Sequence, residues 1–376
     1  MTLESLKQKG CRNVATGQND MKVVQRPKHR QWRLPVTDTM QQIVLKSYCE
    51  GPPRPENFEL VEKPAPVPNA GQFRVRHIWN SVDPGTRSRL SGGDSYAAAL
   101  PLGKAIDGFS VGIVDASEND AYPVGTKVFC AGGWRTHTIQ TGKGFIGAIP
   151  DAVPLPLSLW IGVLGVPGLT AWFGLKSVAR FQAGDRVLVT SAAGPVGATA
   201  GQLAKAGGAE QVVGIAGSNA KCQWLVDEAG FDAAINYKSV PDLDAAIAEA
   251  LPDGVDLLFD NVGNEMVNRV LPKMRLNGRI CISGQVADYN LTPEQTPGIV
   301  NTKPFITHRV LMQGLVVFDF AREFPTALNE MATLIGKGEL KLKEERFEGI
   351  GKMPDAFCGL FRGENFGRRV VQVGDE

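Results

Sequence analysis

The segment that most constrains this chain joins two apolar runs through a turn of small residues and a helix-like stretch. Residues 187–189 are followed by the turn Ala192-Ala193-Gly194-Pro195-Val196-Gly197, a stretch with Ala200 and Leu203 on one face, and a second apolar run at 212–216. This order predicts a β-α-β unit with two parallel strands. The turn reads A-x-G-x-x-G, a dinucleotide fingerprint with alanine in the first glycine position.

The small residues of this turn have predicted roles in binding a pyrophosphate. Gly194 lets the backbone approach the pyrophosphate closely, Gly197 lets the helix pack on the strand, and free N–H groups at the helix start attract phosphate. The candidate residues are Ala193, Gly194, Pro195, Val196 and Gly197. A single glycine motif is weak evidence, however, because small residues between a strand and a helix often serve packing only.

The end of the second predicted strand indicates which dinucleotide would bind. NAD sites place an Asp or Glu about 20 residues after the turn, where it bonds the ribose 2′-hydroxyl. Here the sequence reads Gly217-Ser218-Asn219-Ala220-Lys221, which has a hydroxyl, an amide and a cation but no acid. These groups suit a 2′-phosphate, which a carboxylate would repel, so we expect NADP(H). Taken alone, Lys221 could equally be a solvated surface lysine.

The chain is long enough for two domains with different patterns. From about residue 41 to 150 of the 376, short alternating runs and Gly/Pro-rich turns predict a small barrel-like β domain. Further along, alternating strands and helices predict a doubly wound parallel sheet. Its strands are expected near 186–191, 211–216, 255–260, 279–283 and 314–318, and its helices near 195–207, 219–229, 241–251 and 263–275. A helix near 323–337 then leads to runs at 340–348 and 369–373 that return to the first domain.

These patterns predict the domain boundaries. Residues 40–162 and 322–376 form the β-rich catalytic domain, and residues 163–321 form the dinucleotide-binding domain. Residues 1–39 carry eight Lys or Arg against three Asp or Glu, a net charge of +5 that leaves −4 for the rest of a chain whose net charge is +1. We expect 1–39 to be a basic, disordered extension, since the segment lacks the apolar core of a secretory signal. The mildly acidic body gives no argument for nucleic-acid binding.

Several other chemistries lack the residues that they need. The six cysteines, at 11, 49, 130, 222, 281 and 358, are scattered without C-x-x-C spacing, which argues against disulfides and a structural zinc. The four histidines, at 29, 77, 137 and 308, form no H-E-x-x-H motif, and no G-x-S-x-G elbow is present. Prolines and glycines interrupt the longest apolar stretches, which excludes a transmembrane helix. We therefore expect a cytoplasmic protein with reduced thiols and no metal.

Three further segments follow predicted strands and would lie at the edge of the sheet where a cofactor binds. They are 259–263, 283–289 and 316–318. Asn261 could bond the ribose or the nicotinamide amide, Gly263 would allow close approach, and the backbone at 316–318 could pair with a carboxamide. Each segment alone reads equally well as a strand that turns into a loop.

A site without metal must polarise its substrate through hydrogen bonds, which favours reduction of an activated C=C bond over chemistry on a simple alcohol. Hydride goes to the β-carbon of an enone, and negative charge develops on the oxygen. A neutral tyrosine can donate a hydrogen bond to that oxygen or a proton to the α-carbon. Tyr289 follows a cofactor strand, and Tyr96 of the first domain could face it across the cleft. Tyr289 could equally hold the nicotinamide ribose.

An ordered set of motifs resembles the zinc-independent medium-chain dehydrogenase/reductases, in particular the group of leukotriene B4 12-hydroxydehydrogenase/prostaglandin reductases, alkenal double-bond reductases and curcumin reductases. The resemblance covers roughly residues 41–373. Its motifs are Ser81-Val82-Asp83-Pro84 with Arg87, Gly165-Val166-Pro167-Gly168-Leu169-Thr170-Ala171-Trp172, Ala192-Ala193-Gly194-Pro195-Val196-Gly197, Gly217-Ser218-Asn219-Ala220-Lys221, Asn236-Tyr237-Lys238, Phe259-Asp260-Asn261-Val262-Gly263, Tyr289-Asn290 and Gly363-Glu364-Asn365-Phe366-Gly367.

The resemblance implies a fold and an activity. The fold is α/β, with a GroES-like β-rich catalytic domain and a Rossmann domain with a doubly wound parallel sheet. The activity is NADPH-dependent reduction of the C=C bond of α,β-unsaturated ketones or aldehydes, usually by a homodimer.

The resemblance also assigns roles to individual residues. Lys221 and Tyr237 would hold the 2′-phosphate, and Tyr96 and Tyr289 would line the reactive end. The other implied cofactor contacts are Thr170, Gly217, Ser218, Asn261, Gly263, Ser283, Gly284, Leu315, Val316, Val317 and Asn365. Many members read D-P-Y-M-R where this chain has Asp83-Pro84-Gly85-Thr86-Arg87, so a pocket tyrosine is missing and the substrate pocket is expected to be roomier.

Two other functions remain open at this point. An NADPH:quinone reductase of the same superfamily would also transfer hydride without metal. An NADPH-binding structural or sensor protein would bind the cofactor with little turnover.

Overall fold

A computed structural model of the protein describes residues 39–92, 98–292 and 294–376. Within these ranges the strands are β1 (Thr39–Leu45), β2 (Phe58–Pro64), β3 (Phe73–Ser81), β4 (Ser110–Ser117), β5 (Lys127–Cys130), β6 (His137–Gln140), β7 (Ile146–Ala148), β8 (Arg186–Val189), β9 (Gln211–Ala216), β10 (Ala233–Asn236), β11 (Val255–Asp260), β12 (Met274–Ile282), β13 (Leu311–Gly314), β14 (Glu344–Glu348) and β15 (Arg368–Gln372). The α-helices there are α1 (Val166–Phe173), α2 (Pro195–Ala206), α3 (Asn219–Asp227), α4 (Leu243–Ala250), α5 (Asn264–Val270), α6 (Lys303–Thr307), α7 (Phe324–Gly336) and α8 (Met353–Cys358). The predicted extension 1–39, apart from Thr39, lies outside the described residues, as does Tyr96.

A seven-stranded sheet contains the β-rich part of the chain. Its order is β14-β15-β3-β4-β5-β7, with β6 also paired to β3. Strand β15 runs antiparallel to β3, with Val370 opposite Ser81, so the C-terminal segment joins the seven-stranded sheet. Strands β1 and β2 form a separate antiparallel pair.

The second sheet has six parallel strands in the order β10-β9-β8-β11-β12-β13. The chain passes from β8 outward to β10 and then returns to the other side of β8, which creates a switch point between β8 and β11. Along β8, Val187 and Val189 belong to one hydrophobic cluster and Leu188 to another. Both faces of this sheet are therefore buried at its centre, as is usual for parallel sheets.

Three details of the predicted second sheet are wrong. The short strand β10 was not predicted, because two alanines and one isoleucine give little strand signal. The helix expected to end near residue 275 ends at Val270, and Met274 already begins β12. The expected strand near 314–318 ends at Gly314, and a 3-10 helix begins at Val317. Apolar runs alone do not distinguish a buried strand from a buried short helix.

One hydrophobic cluster joins the two sheets. The cluster that contains Val187 and Leu203 also contains Ile78 and Val111 from the seven-stranded sheet. Packing is thus continuous between them, and the boundaries at residues 162 and 321 stay predictions.

The described cysteines are free thiols, and all except Cys222 are buried. Burial raises the pKa of Cys130 and Cys281 to about 12, which keeps both thiols protonated. No group of three or more His, Cys, Asp or Glu in the described ranges could hold a metal ion. None of the helices there has the length and apolar character that a membrane-spanning helix needs.

Candidate functional site

A cleft of about 2150 Å³ runs along the carboxyl ends of the parallel strands. It is lined by the turn between β8 and α2, by residues 215–217 at the end of β9, by 261–263 after β11 and by 282–289, which begin at the last residue of β12. The switch point brings these segments together, because the carboxyl ends of parallel strands meet at one edge.

Most of the candidate residues lie in this cleft. Those that line it are Thr170, Ala193, Gly194, Pro195, Val196, Gly197, Gly217, Lys221, Tyr237, Asn261, Gly263, Ser283, Gly284, Tyr289, Leu315, Val316, Val317 and Asn365. Ser218 does not line the cleft, and Tyr96 lies outside the described residues.

The turn after β8 is built for close packing. A Cβ on Gly197 would lie 2.7 Å from the Ser191 carbonyl oxygen, so only glycine lets the helix approach the strand this closely. Ser191 itself has a φ of 48°, an uncommon conformation for a residue other than glycine. Gly194 is the extended N-cap of α2, with Pro195 in the first turn. The first N–H groups of the helix have no intrahelical acceptor and face the position where a phosphate would bind.

The C-terminal segment is hydrogen-bonded to this turn. The Gly367 N–H donates to the Ala193 carbonyl oxygen at 3.0 Å. Asn365 Nδ2 lies 3.4 Å from the Gly367 carbonyl oxygen, which holds the Asn365 side chain beside the turn. This contact explains how a residue 170 positions further along the chain lines the dinucleotide cleft.

Two lysines mark the end of the cleft beyond β9. Lys221 Nζ donates to the Gly363 carbonyl oxygen at 2.7 Å. Lys238 also lines the cleft, and its Nζ lies 5.8 Å from the centre of the Tyr237 ring. Burial and the neighbouring Lys238 lower the pKa of Lys221. An anion bound between the two ammonium groups would relieve this repulsion.

The sequence assigned these polar groups only in part. The Ser218 Oγ accepts from the Lys221 N–H at 3.3 Å, so this hydroxyl caps α3. Lys238 belongs to the motif Asn236-Tyr237-Lys238, but nothing in the motif indicated that its side chain would join the cleft.

A hydrogen-bonded network orients Asn261 at the switch point. Thr190 Oγ1 donates to Asp260 Oδ1 at 2.7 Å and accepts from the Asn261 N–H at 2.8 Å. Asn261 Nδ2 donates to the Thr190 carbonyl oxygen at 2.8 Å. Asp260 is fully buried, and burial raises its pKa to about 6. The network therefore fixes Asn261 through a carboxyl group on β11 and a residue that follows β8.

Gly263 and Asp288 join the loops after β11 and β12. Gly263 has a φ of 134°, and a Cβ there would overlap Asp288 Oδ2. The same carboxylate oxygen accepts from the Asn264 N–H at 3.0 Å. Gly263 is thus required both by its backbone conformation and by the close approach of the neighbouring loop.

Tyr289 lies in the cleft at the end of β12. Its hydroxyl oxygen is 3.6 Å from the position that a Cβ on Gly284 would occupy. Its N–H donates to the Gln285 carbonyl oxygen at 3.1 Å. The loop therefore returns the Tyr289 hydroxyl toward the strand edge that Asn261 also occupies.

Arg87 is a residue near the site to which the sequence gave no role. Its buried guanidinium donates from Nε to Asn290 Oδ1 at 3.0 Å and from Nη2 to the Gly51 carbonyl oxygen at 2.7 Å. Nη1 donates to Ser91 Oγ at 2.6 Å. Arg87 thus connects the residue after Tyr289 to the β-rich part of the chain. Arg87 belongs to one of the motifs quoted above, but its partners Gly51 and Asn290 are distant in sequence, so the motif did not indicate this role.

Part of the opposite wall of the cleft is aromatic. Phe109 and Phe318 each contact Phe145, with ring centres 5.1 Å and 5.7 Å from it. Gly85 and Thr86 also line the cleft, at the place where many members of the resembling group have tyrosine and methionine. This wall can hold an uncharged, extended substrate beside Tyr289.

Comparisons with known proteins agree with this arrangement. A family model described as "N-terminal domain of oxidoreductase" matches residues 41–147, and one described as "Zinc-binding dehydrogenase" matches residues 195–333. Prostaglandin reductase 1 of Rattus norvegicus is 39% identical over 332 residues, which cover 88% of this chain and 98% of the relative. The NADP(+)-dependent 2-alkenal reductase of Nicotiana tabacum is 38% identical over 339 residues, covering 89% of this chain and 98% of the relative.

A solved structure shows the same fold. The structure of CurA from Vibrio vulnificus in complex with NADPH matches with a TM-score of 0.84 and 32% identity, covering 89% of this chain and 100% of the other. The chain therefore belongs to the medium-chain dehydrogenase/reductase family, in the group that includes the prostaglandin and 2-alkenal reductases.

Proposed function

We propose that this protein is an NADPH-dependent oxidoreductase that reduces the C=C bond of α,β-unsaturated ketones and aldehydes. The observation that carries the proposal is one continuous cleft. It joins a dinucleotide turn and two lysines at one end to Tyr289 and a partly aromatic wall at the other. The relatives named above, one of them NADP-dependent, support the same chemistry.

The residues of the cleft fit NADPH. Bound NADPH supplies the hydride that reaches the β-carbon of the substrate. The N–H groups at the start of α2 would hold the pyrophosphate, because Gly197 leaves no side chain in the way. Lys221, Lys238 and Tyr237 would hold the 2′-phosphate, with no acid among these three to repel it. Asn261, whose Nδ2 is held by the Thr190 carbonyl oxygen, would present its Oδ1 to the nicotinamide half.

Tyr289 has the chemistry to act on the substrate. As hydride arrives at the β-carbon, negative charge develops on the carbonyl oxygen, and the Tyr289 hydroxyl would donate a hydrogen bond to it or a proton to the α-carbon. Replacing Tyr289 with Phe should lower kcat by about 100-fold, the effect of losing one donor to a developing oxyanion. The NADPH dissociation constant should barely change. An unchanged kcat would remove Tyr289 as a donor.

A substrate panel tests the proposed reaction. The purified protein is incubated with NADPH and separately with enones, alkenals and quinones, and the product of each is identified by mass spectrometry. NADPH oxidation with formation of the saturated ketone or aldehyde supports the proposal. Turnover of quinones alone would identify a quinone reductase, and tight NADPH binding without turnover would identify a structural or sensor protein.

The proposed reaction does not require a metal. The support is the lack of a three-residue donor cluster in the described part of the chain. Dialysis against a chelator should leave kcat unchanged, whereas activity that is lost and then restored by zinc would contradict this. We also propose a cytoplasmic location, in keeping with free rather than paired cysteines among the described residues.

We propose that the protein is a homodimer that pairs through β13. This strand is at the edge of the six-stranded sheet, and Leu311 and Met312 are 39% and 37% exposed. An exposed, apolar edge strand favours pairing with a second copy. Light scattering coupled to gel filtration should show a dimer whose dissociation is promoted by Met312→Lys but not by Val67→Lys, a change at an exposed loop residue. A monomeric wild-type protein would contradict the proposal.

A further inference from the structure

Arg368 is a buried cation between the dinucleotide turn and the β-rich part of the chain. It is the first residue of β15 and is 4% exposed. The preceding residue, Gly367, donates from its N–H to the Ala193 carbonyl oxygen in the dinucleotide turn. The Arg368 N–H donates to the Lys343 carbonyl oxygen at 2.8 Å. A Cβ on Gly367 would lie 2.1 Å from that Lys343 oxygen, so the backbone at this point fits in one close-packed position.

The side chain of Arg368 reaches the other way, toward the segment that follows β3. Its Nη1 donates to Asp83 Oδ1 at 2.7 Å and to the Val82 carbonyl oxygen at 3.2 Å. The second carboxylate oxygen of Asp83 accepts from Ser81 Oγ. The same Ser81 oxygen accepts from the Phe109 N–H at 2.9 Å. Hydrogen bonds therefore connect Arg368 to the backbone of Phe109 through two side chains.

Asp83 and Phe109 both line the cleft at its substrate end. Asp83 is the N-cap of a 3-10 helix, Pro84–Arg89, and its carbonyl oxygen accepts from the Thr86 N–H at 3.1 Å. Phe109 contacts Phe145 in the aromatic part of the wall. The position of Asp83 therefore affects both the start of this 3-10 helix and, through the Ser81 hydroxyl, the backbone that carries Phe109.

The charge of Arg368 depends on Asp83. Among the described residues, Asp83 alone forms an ion pair with Arg368, and Arg368 Nε and Nη2 are buried without acceptors. Glu344, the neighbour of Arg368 on β14, pairs with Arg346 instead. A guanidinium that moved away from Asp83 would become an unpaired buried cation, which is strongly unfavourable. A shift of the Arg368 backbone is therefore passed on to Asp83 rather than absorbed by the side chain.

We infer that Arg368 is a positioning residue that couples the cofactor end of the cleft to the substrate end. Gly367 is held in place when a cofactor occupies the dinucleotide turn, and Arg368 transmits this to Asp83 and the substrate wall. A substrate should therefore bind more tightly to the cofactor-loaded protein than to the free protein, and the cofactor should gain by the same factor. This inference rests on the proposed reductase function, whose cofactor and substrate ends it connects.

Benzylacetone, the saturated product of benzalacetone, tests the coupling without turnover. Titration calorimetry measures its dissociation constant for the free protein and for the protein loaded with NADP+. The wild-type protein should bind benzylacetone more tightly when loaded. Arg368→Met should lower the ratio of the two constants by about fivefold, a usual size for coupling between sites. The part of the ratio that comes from direct contact between the ketone and the nicotinamide should remain.

Arg279→Met is the matched control, because Arg279 also forms a largely buried ion pair, with Asp185, and neither residue lines the cleft. It should leave the ratio unchanged. Arg368→Lys should restore part of the ratio, since an ammonium group can still pair with Asp83. Asp83→Asn weakens the same pair from the other side and should lower the ratio too, which provides the test if Arg368→Met does not fold.

The ratio separates coupling from a merely structural role and from the proposed reaction. General damage to the fold would weaken benzylacetone binding to both forms equally. An Arg368→Met ratio equal to that of wild type would therefore overturn the inference, even if enones were reduced with a normal kcat. A lowered ratio in Arg368→Met that Arg279→Met does not show would support it, even if no enone were reduced. Failure of benzylacetone to bind the loaded wild-type protein would also overturn it.

Discussion

Lys221 shows how one side chain can select a coenzyme. Its ammonium group is held by the Gly363 carbonyl oxygen and lies close enough to Lys238 for the two charges to interact. Lys221→Gln should raise the KM for NADPH by about tenfold, because it removes a charge-assisted contact with the 2′-phosphate. The KM for NADH, which lacks this phosphate, should change little.

The control for Lys221 is Lys205→Gln, since Lys205 pairs with Asp232 outside the cleft. This control should alter neither KM. If Lys221→Gln raised both KM values equally, its assignment to the 2′-phosphate would be wrong.

Asp260 gives a pH-dependent contribution to stability. Burial raises its pKa from the ordinary 3.8 to about 6, so the folded protein binds this proton more tightly than the unfolded chain does. The contribution is fully present below about pH 4 and is lost as the pH rises through 6. The free energy of unfolding of wild type minus that of Asp260→Asn should fall by about 2 kcal/mol between about pH 4.5 and 7. Urea unfolding measures this difference, and a flat or rising difference would contradict the assignment.

At the scale of elements, the loop after β12 is held by a hydrogen bond from Arg87, which lies in the β-rich part of the chain. Asn290→Ala would leave the buried Arg87 Nε without its acceptor. We expect the free energy of unfolding to fall by about 1–3 kcal/mol. We also expect kcat to fall, because Tyr289 is the preceding residue. Thermal unfolding and steady-state kinetics measure the two effects.

Asn290→Asp should largely restore both properties, since a carboxylate accepts the same hydrogen bond from Arg87 with added charge. The control Asn268→Ala removes two exposed hydrogen bonds, one to the Gly298 carbonyl oxygen and one from the Val300 N–H, and should affect neither property. Normal kcat and stability in Asn290→Ala would show that the contact does not hold the loop.

At the scale of the whole molecule, we propose that residues 1–39 are dispensable. The match to the first family model begins at residue 41. Thr39, the first residue of β1, pairs with Pro64, the last residue of β2. A chain that starts at Met40 should keep the kcat and the melting temperature of the full chain. A large loss of either would show that the segment contributes to the fold or to the site.

Much of the dinucleotide half could be predicted because its signals are local. The turn Ala192-Ala193-Gly194-Pro195-Val196-Gly197 specifies a strand, a tight turn and a helix through steric limits that act over a few residues. The strand order could not be predicted in the same way. It depends on which buried faces pack together. The short strand β10 and the end of β13 at Gly314 were mispredicted for a different reason, because short apolar runs do not distinguish a strand from other buried segments.

The sequence by itself determined the β-α-β unit, the lack of an acid after β9 and the group to which the chain belongs, because each depends on short motifs of adjacent residues. Only the tertiary structure decided that Lys238 joins Lys221 and that Arg87 holds Asn290. These outcomes depend on contacts between residues far apart in the chain. Such contacts form only when burial of apolar side chains brings the two sheets together, which no local pattern encodes.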